Sequence, residues 1–217
     1  MTEHNFLGMR RAMVESQLRT NDVNDPTVIA AILAVPREAF VPEARKDTAY
    51  VDRPVPLGGA RALNAPLATA RLIVAAQVRK GEKVLLIGGA TGYAAALLAE
   101  LGASVVAIES DEHLVAMASS ALSGRSGVTV ETADLANGFP QGAPYDVILV
   151  DGAIEAFPSG LADQLKIGGR AVFGRVDRGV TRLCSGTRSA GGFGAVPFLD
   201  AEAVILPGFA APKSFTF

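Results

Sequence analysis

Cysteine, histidine and tryptophan are scarce or missing in this chain of 217 residues: it has one cysteine, two histidines and no tryptophan. Cys184 alone forms no intrachain disulfide, and with only His4 and His113 beside it there is no ligand cluster for structural zinc. No histidine lies near Cys184 in the sequence, so its thiol reads as a strand-core or surface group rather than a nucleophile. Long apolar runs are also missing, since none approaches the ~20 residues that span a bilayer. Residues 1–11 start polar and carry no apolar stretch followed by a small-residue cleavage site, which points to the cytoplasm. Nor does either charge dominate: 20 Lys and Arg stand against 22 Asp and Glu, a formal net charge of -2. Without a global basic field the chain is not expected to hold nucleic acid or an anionic membrane surface.

What the chain does have is apolar residues (49%) and glycine (23 residues), a composition that folds. Its length suits one domain, 1–217, with a helical and loop region at 6–77 and an α/β core and tail at 83–217. Phe6, Leu7, Met13, Val14 and Leu18 recur near one side of a 3.6-residue period, with Arg10, Arg11, Glu15 and Arg19 largely elsewhere, predicting an amphipathic helix over 6–20. Asp25 caps a second helix that Pro36 stops, and 37–41 reads as a short turn. The stretch 49–66, AYVDRPVPLGGARALNAP, is expected as an ordered loop of the length that covers or lines functional sites.

From Leu67 a buried helix leads into a regular alternation. Strands are predicted at 83–88, 104–109, 128–134 and 145–152, and helices at 91–102 and 111–122. A short helix, a tight turn at Gly168 and Gly169 and a fifth strand follow, and GVTRLCSG and GGFGAVPF resemble antiparallel strands. The fold class is α/β, a doubly wound, Rossmann-like sheet with N-terminal helices and an antiparallel ending.

The most informative stretch is VLLIGGATGYAAALLAELG: an apolar strand, a glycine-bearing turn, and a helix whose first amides face a ligand. Gly88 and Gly89 permit close backbone approach, and Gly92 lets the helix start against the sheet. Ala90 stands where a dinucleotide fingerprint has its second glycine, which argues against a tightly packed pyrophosphate. Glu109 lies 21 residues after Gly88 at a strand end, where a carboxylate can accept the ribose hydroxyls of an adenosine; it also reads as a solvated strand end. Asp134 ends the next strand and Asp151 the one after, each as a cofactor contact or an ordinary loop residue. No Ser-His-Asp relay or metal cluster is visible; methyl transfer to an ionised carboxylate needs neither, since positioning and exclusion of water suffice, and a hydride transferase, the remoter reading, would use the same topology.

Several segments together resemble one family: MVESQLR (13–19), VPREAFVP (35–42), AYVDRPVPLG (49–58), KVLLIGGATGYAAALLA (83–99), IES (108–110), PYDVILVDGA (144–153) and LADQLKIGGRAVF (161–173). They look like protein-L-isoaspartate O-methyltransferase. The resemblance implies a class I methyltransferase fold using S-adenosyl-L-methionine, with S-adenosyl-L-homocysteine as product. The implied activity esterifies the carboxylate of L-isoaspartyl residues in damaged proteins, by a monomeric enzyme. It places Gly88, Gly89, Ala90, Gly92, Tyr93, Glu109, Asp134, Leu135 and Asp151 around the cofactor, with core packing the other reading for Tyr93. Asn64 matches the family's active-site serine, and Arg61, Ala62 and Leu63 precede it as substrate contacts; Arg61 also reads as an ordinary solvent-exposed arginine. The chain departs from the family at Leu86, an acidic position, and at Ala90, Thr91, Ala62 and Asn64. These departures leave two alternatives open, a different methyl acceptor or a cofactor-binding interaction protein without turnover.

Overall fold

The structure, a computed structural model, describes residues 5–210; the polar start at 1–4 and the end of the tail at 211–217 lie outside them. The helix expected over 6–20 is helical throughout but changes its winding. Helix α1 (Phe6–Met13) continues as a π-turn over Val14–Leu18 and a 3-10 turn over Arg19–Asn21. Ser16 Oγ and Thr20 Oγ1 each donate to a carbonyl four residues back, at 2.6 and 2.9 Å, a local competition that distorts the regular ladder. Met13, Val14 and Leu18 are buried as their period requires, whereas Leu7, placed on the same side, is exposed. Arg10, read from the same period as lying off that face, is buried too, donating to Tyr50 Oη (2.9 Å) and Leu33 O (2.8 Å) and pairing with Glu38.

Asp25 caps α2 (Pro26–Ala34) as predicted, its Oδ1 accepting the amides of Thr27 (2.8 Å) and Val28 (3.1 Å), with Pro26 supplying a preset helical φ. The stretch 49–66 is not a plain loop. Strands β1 (Val55–Gly58) and β2 (Arg61–Leu63) pair antiparallel, with Val55 opposite Leu63 and Pro56 opposite Ala62. Proline is tolerated because this ribbon has only two strands and both are edges.

The alternating region then unfolds in chain order: α3 (Pro66–Ala76), β3 (Lys83–Ile87), α4 (Tyr93–Glu100), β4 (Ser104–Glu109), α5 (Glu112–Ala121), β5 (Val128–Thr132), β6 (Tyr145–Ile154), α6 (Ser159–Ala162), β7 (Leu165–Asp177), β8 (Val180–Ser189) and β9 (Gly192–Asp200). The strands form one sheet in the order β5-β4-β3-β6-β7-β8-β9. β5 through β7 run parallel, and β8 and β9 return antiparallel, the expected architecture.

Strand alternation divides the core in two. Val84, Leu86, Val105, Ala107, Val147 and Leu149 face the N-terminal helices and α3–α5. Leu85, Ile87, Ile108, Ile148, Val150 and Phe173 face the other side, covered by Leu161 of α6 and by Leu206 and Phe209 of the C-terminal segment. Cys184 is buried in this second cluster, where desolvation pushes its thiol pKa up, so the strand-core reading holds. The chain leaves β3 for β4 and β5 and returns to β6 on β3's other side. The carboxyl ends of β3 and β6 therefore flank the switch point where such sheets bind ligands. Among the described residues no helix is long and apolar enough to cross a membrane.

Hydrogen bonds from the Thr27 hydroxyl and the Val28 amide hold the Asp25 carboxyl below the usual aspartate range. A depressed folded-state pKa supplies stability above the unfolded value of about 3.9 and loses it as pH falls through the folded pKa. Asp25→Ala is expected to cost about 1 kcal/mol at pH 7. In urea denaturation the gap from wild type should narrow below pH ~4; a gap independent of pH would contradict the capping role.

Candidate functional site

At the switch point β3 ends at Ile87 and the chain turns away, with the amides of Gly88 and Gly89 both donating to Ile108 O (3.1 and 3.0 Å). Ala90 takes a left-handed φ of 47°, which costs a side-chain-bearing residue about 1 kcal/mol relative to glycine. Gly92 (φ 99°) then caps α4. Beside this turn, β4 delivers Glu109, whose side chain has no exposed surface. Its Oε2 accepts the Ala90 amide at 3.0 Å and its Oε1 the Ser110 amide at 2.9 Å.

Arg61, reaching over from β2, closes on the same carboxylate. Nη2 lies 2.5 Å from Oε2 and Nε 3.3 Å from Oε1, a buried two-pronged ion pair. Arg61 is thus buried, which corrects its reading as an ordinary solvent-exposed arginine, and in this arrangement its guanidinium is engaged by Glu109. Glu109 in turn is a fully buried, fully engaged carboxylate rather than a solvated strand end.

A second polar cluster joins β6 to the hairpin. Asp151 Oδ1 accepts from Thr69 Oγ1 (2.7 Å) and Asn64 Nδ2 (3.0 Å). Burial raises the Asp151 pKa above its ordinary value, against the lowering effect of those two donors. Asn64 Oδ1 accepts the amides of Ala65 (3.1 Å) and Val204 (3.2 Å), and its backbone carbonyl accepts from Arg37 Nη2 (2.6 Å). Arg37 is completely buried, also donates to Ala49 O (2.8 Å), and lies 4.7 Å from the Tyr93 ring centre. Asn64 therefore spends its amide inside the protein.

Other predicted positions take no part in these hydrogen bonds. Tyr93 is buried against Phe40, ring centres 5.8 Å apart, so its core reading applies. Leu63 is sealed in the core at 1% exposure, with no surface turned to a substrate in this arrangement, while Ala62 is half-buried opposite Pro56. Asp134 is exposed and turns its Oδ1 onto the amides of Ala136 (2.9 Å) and Asn137 (3.2 Å); Leu135 is core. Sequence reasoning missed Thr69, Arg37 and Leu206. Thr69 sits one turn into a helix whose start was already suspected, and Arg37 lies inside VPREAFVP, but nothing local marks Leu206.

A cavity of about 700 Å³ opens beside Ala65, lined among others by Arg53, Arg71, Asp22, Asp52, Asp200 and Glu202. Its four carboxylates outnumber its two guanidiniums, so it does not favour an anionic acceptor.

The strand order, glycine turn and strand-end carboxylate define a Rossmann-like class I methyltransferase. The chain belongs to the protein-L-isoaspartate(D-aspartate) O-methyltransferase family, whose model matches residues 9–182. It is 42% identical over 188 residues to protein-L-isoaspartate O-methyltransferase 1 of Rhodopseudomonas palustris strain HaA2, covering 85% of this chain and 77% of that one. The enzyme of Opitutus terrae is 41% identical, over 75% of this chain and 71% of its own. Among solved structures, a protein-L-isoaspartate O-methyltransferase superposes with a TM-score of 0.81 at 24% identity, over 92% of this chain and 66% of that one. One from Plasmodium falciparum, in complex with S-adenosyl-L-homocysteine, gives 0.77 at 18% identity, over 94% and 99%. These last two establish the shared fold.

The family's methyl donor is S-adenosyl-L-methionine. Around the expected cofactor position Glu109 is paired with Arg61, and Leu206 lies on the glycine turn, where a Cβ on Gly88 would come within 2.7 Å of its Cδ1. Leu86, at the family's acidic position, is buried and offers no polar contact.

Thr69→Val removes one of the two donors to a buried carboxylate and should destabilise by about 1–3 kcal/mol. Because the folded pKa of Asp151 is raised, its stability contribution is full below the unfolded pKa and is lost as pH rises through the folded one. Asp151→Asn should therefore flatten the decline in stability above pH ~4. Thermal unfolding between pH 4 and 8 measures this, and an unchanged slope contradicts it.

Proposed function

We propose that this protein transfers a methyl group to the free carboxylate of L-isoaspartyl residues in damaged proteins, acting as a one-domain monomer in the cytoplasm. The observation that carries the reading is Glu109: within a chain of this family, the carboxylate at the end of β4 stands beside the glycine turn and takes the Ala90 amide. That is where a strand-end carboxylate meets a ribose in a doubly wound sheet. An ionised carboxylate acceptor is already a nucleophile, so the scarcity of histidine is no obstacle to the chemistry. The near-neutral net charge of -2 suits protein substrates rather than nucleic acid or an anionic membrane.

A second reading, transfer to a different carboxylate, is favoured by one observation. Asn64 stands where the family resemblance has a serine, and its amide is committed to Asp151 and Val204. Methyl incorporation from labelled donor into an isoaspartyl peptide and its normal aspartyl counterpart separates the readings. The proposed function predicts labelling of the isoaspartyl peptide alone. Labelling of neither, with another carboxylate labelled, would transfer the assignment to the second reading. Light scattering on the eluted protein is expected to give the mass of one chain, 22.4 kDa.

A further inference from the structure

Beyond Ile87 the register of β3 against β6 stops at Val150, because the chain turns away at Gly88. The place beside β6 that β3 leaves is filled from the other end of the molecule. Ala153 donates to Val204 O (2.7 Å), Leu206 donates to Ala153 O (2.9 Å), and Ile205 forms a parallel bridge with Ala153. Leu206, 3% exposed, then lies over the switch point. A Cβ on Gly152 would come within 2.5 Å of Val204 O and 2.8 Å of Leu206 Cγ, so both glycines flanking the crevice are pressed by this segment.

Two further contacts fasten the closure. Asn64 Oδ1 accepts the Val204 amide while Asn64 Nδ2 holds Asp151, clasping the segment to β6. Arg61, three residues before Asn64, covers the carboxylate of Glu109. The hairpin and the C-terminal segment thus occupy both ends of the crevice, the strand-end carboxylate and the glycine turn.

We propose that Arg61 and the segment 204–206 form an internal lid that closes the cofactor crevice in the free chain and leaves it when the adenosyl group enters. The proposal rests on the methyltransferase reading. Asn64 is a positioning residue of the lid, and the measured cofactor affinity is the intrinsic affinity scaled by the fraction of chains that are open.

The test is calorimetry with S-adenosyl-L-homocysteine on wild type, Leu206→Ala and Arg61→Gln, with Leu206→Val as the milder variant should Leu206→Ala not fold. Each lid variant should bind at least about tenfold tighter than wild type, as expected when a closing contact is removed. Hydrogen exchange supplies the readout that a merely structural leucine would not move. At saturating S-adenosyl-L-homocysteine the amides of Ala153 and Leu206 should lose protection. Equal affinities in wild type and folded variants, or amide protection unchanged at saturation, overturn the lid and leave the methyltransferase reading standing. No binding by wild type or any folded variant overturns both. Tight binding with the predicted exchange, but no methylation of an isoaspartyl peptide, leaves the lid and overturns the acceptor.

Discussion

A carboxylate with no exposed surface has to find its partners inside the protein, and at Glu109 the charged partner is Arg61, beside the Ala90 and Ser110 amides. Removing one member of such a buried pair typically costs about 3–5 kcal/mol, because the other charge is left without compensation. The pair spans 48 residues and ties the β1–β2 ribbon to the end of β4. A ligand that reaches Glu109 must supply hydrogen-bond donors of its own while Arg61 finds another environment. In the lid proposed above, this one ion pair controls access to the crevice.

Much of the neighbouring geometry follows from where the ribbon is held. With Arg61 fixed on Glu109 and Leu63 in the core, Asn64 emerges between Asp151 and the C-terminal segment. Arg37 fixes the same turn from below through the carbonyls of Asn64 and Ala49. The segment in turn finishes the core on the face that the four-residue helix α6 also covers. Leu206 and Phe209 do there what a full crossover helix does in a sheet with both faces covered by helices.

The sequence was most legible where periodicity is strong and contacts are local. Ser104–Glu109 matches the predicted strand residue for residue, and the Asp25 cap forms as expected, because both depend on near neighbours. The hairpin is hard to see in the sequence because three prolines and the adjacent Gly58 and Gly59 signal a loop, although the same two glycines also mark a turn between two short runs. Spacing marks Glu109 and the family resemblance marks Arg61, but their pairing is not legible, since nothing local links an arginine in a proline-rich stretch to a strand end 48 residues away. Leu206 was illegible for the same reason. Its burial comes from the gap that the Gly88 turn leaves beside β6, a property of the assembled sheet.

A crystal structure with S-adenosyl-L-homocysteine bound tests this account most directly. It should show Glu109 facing the ribose hydroxyls, Arg61 swung off that carboxylate, and Leu206 out of the hollow between Gly88 and Gly152. The ligand seated on the glycine turn with the Arg61–Glu109 pair intact and Leu206 unmoved would contradict it.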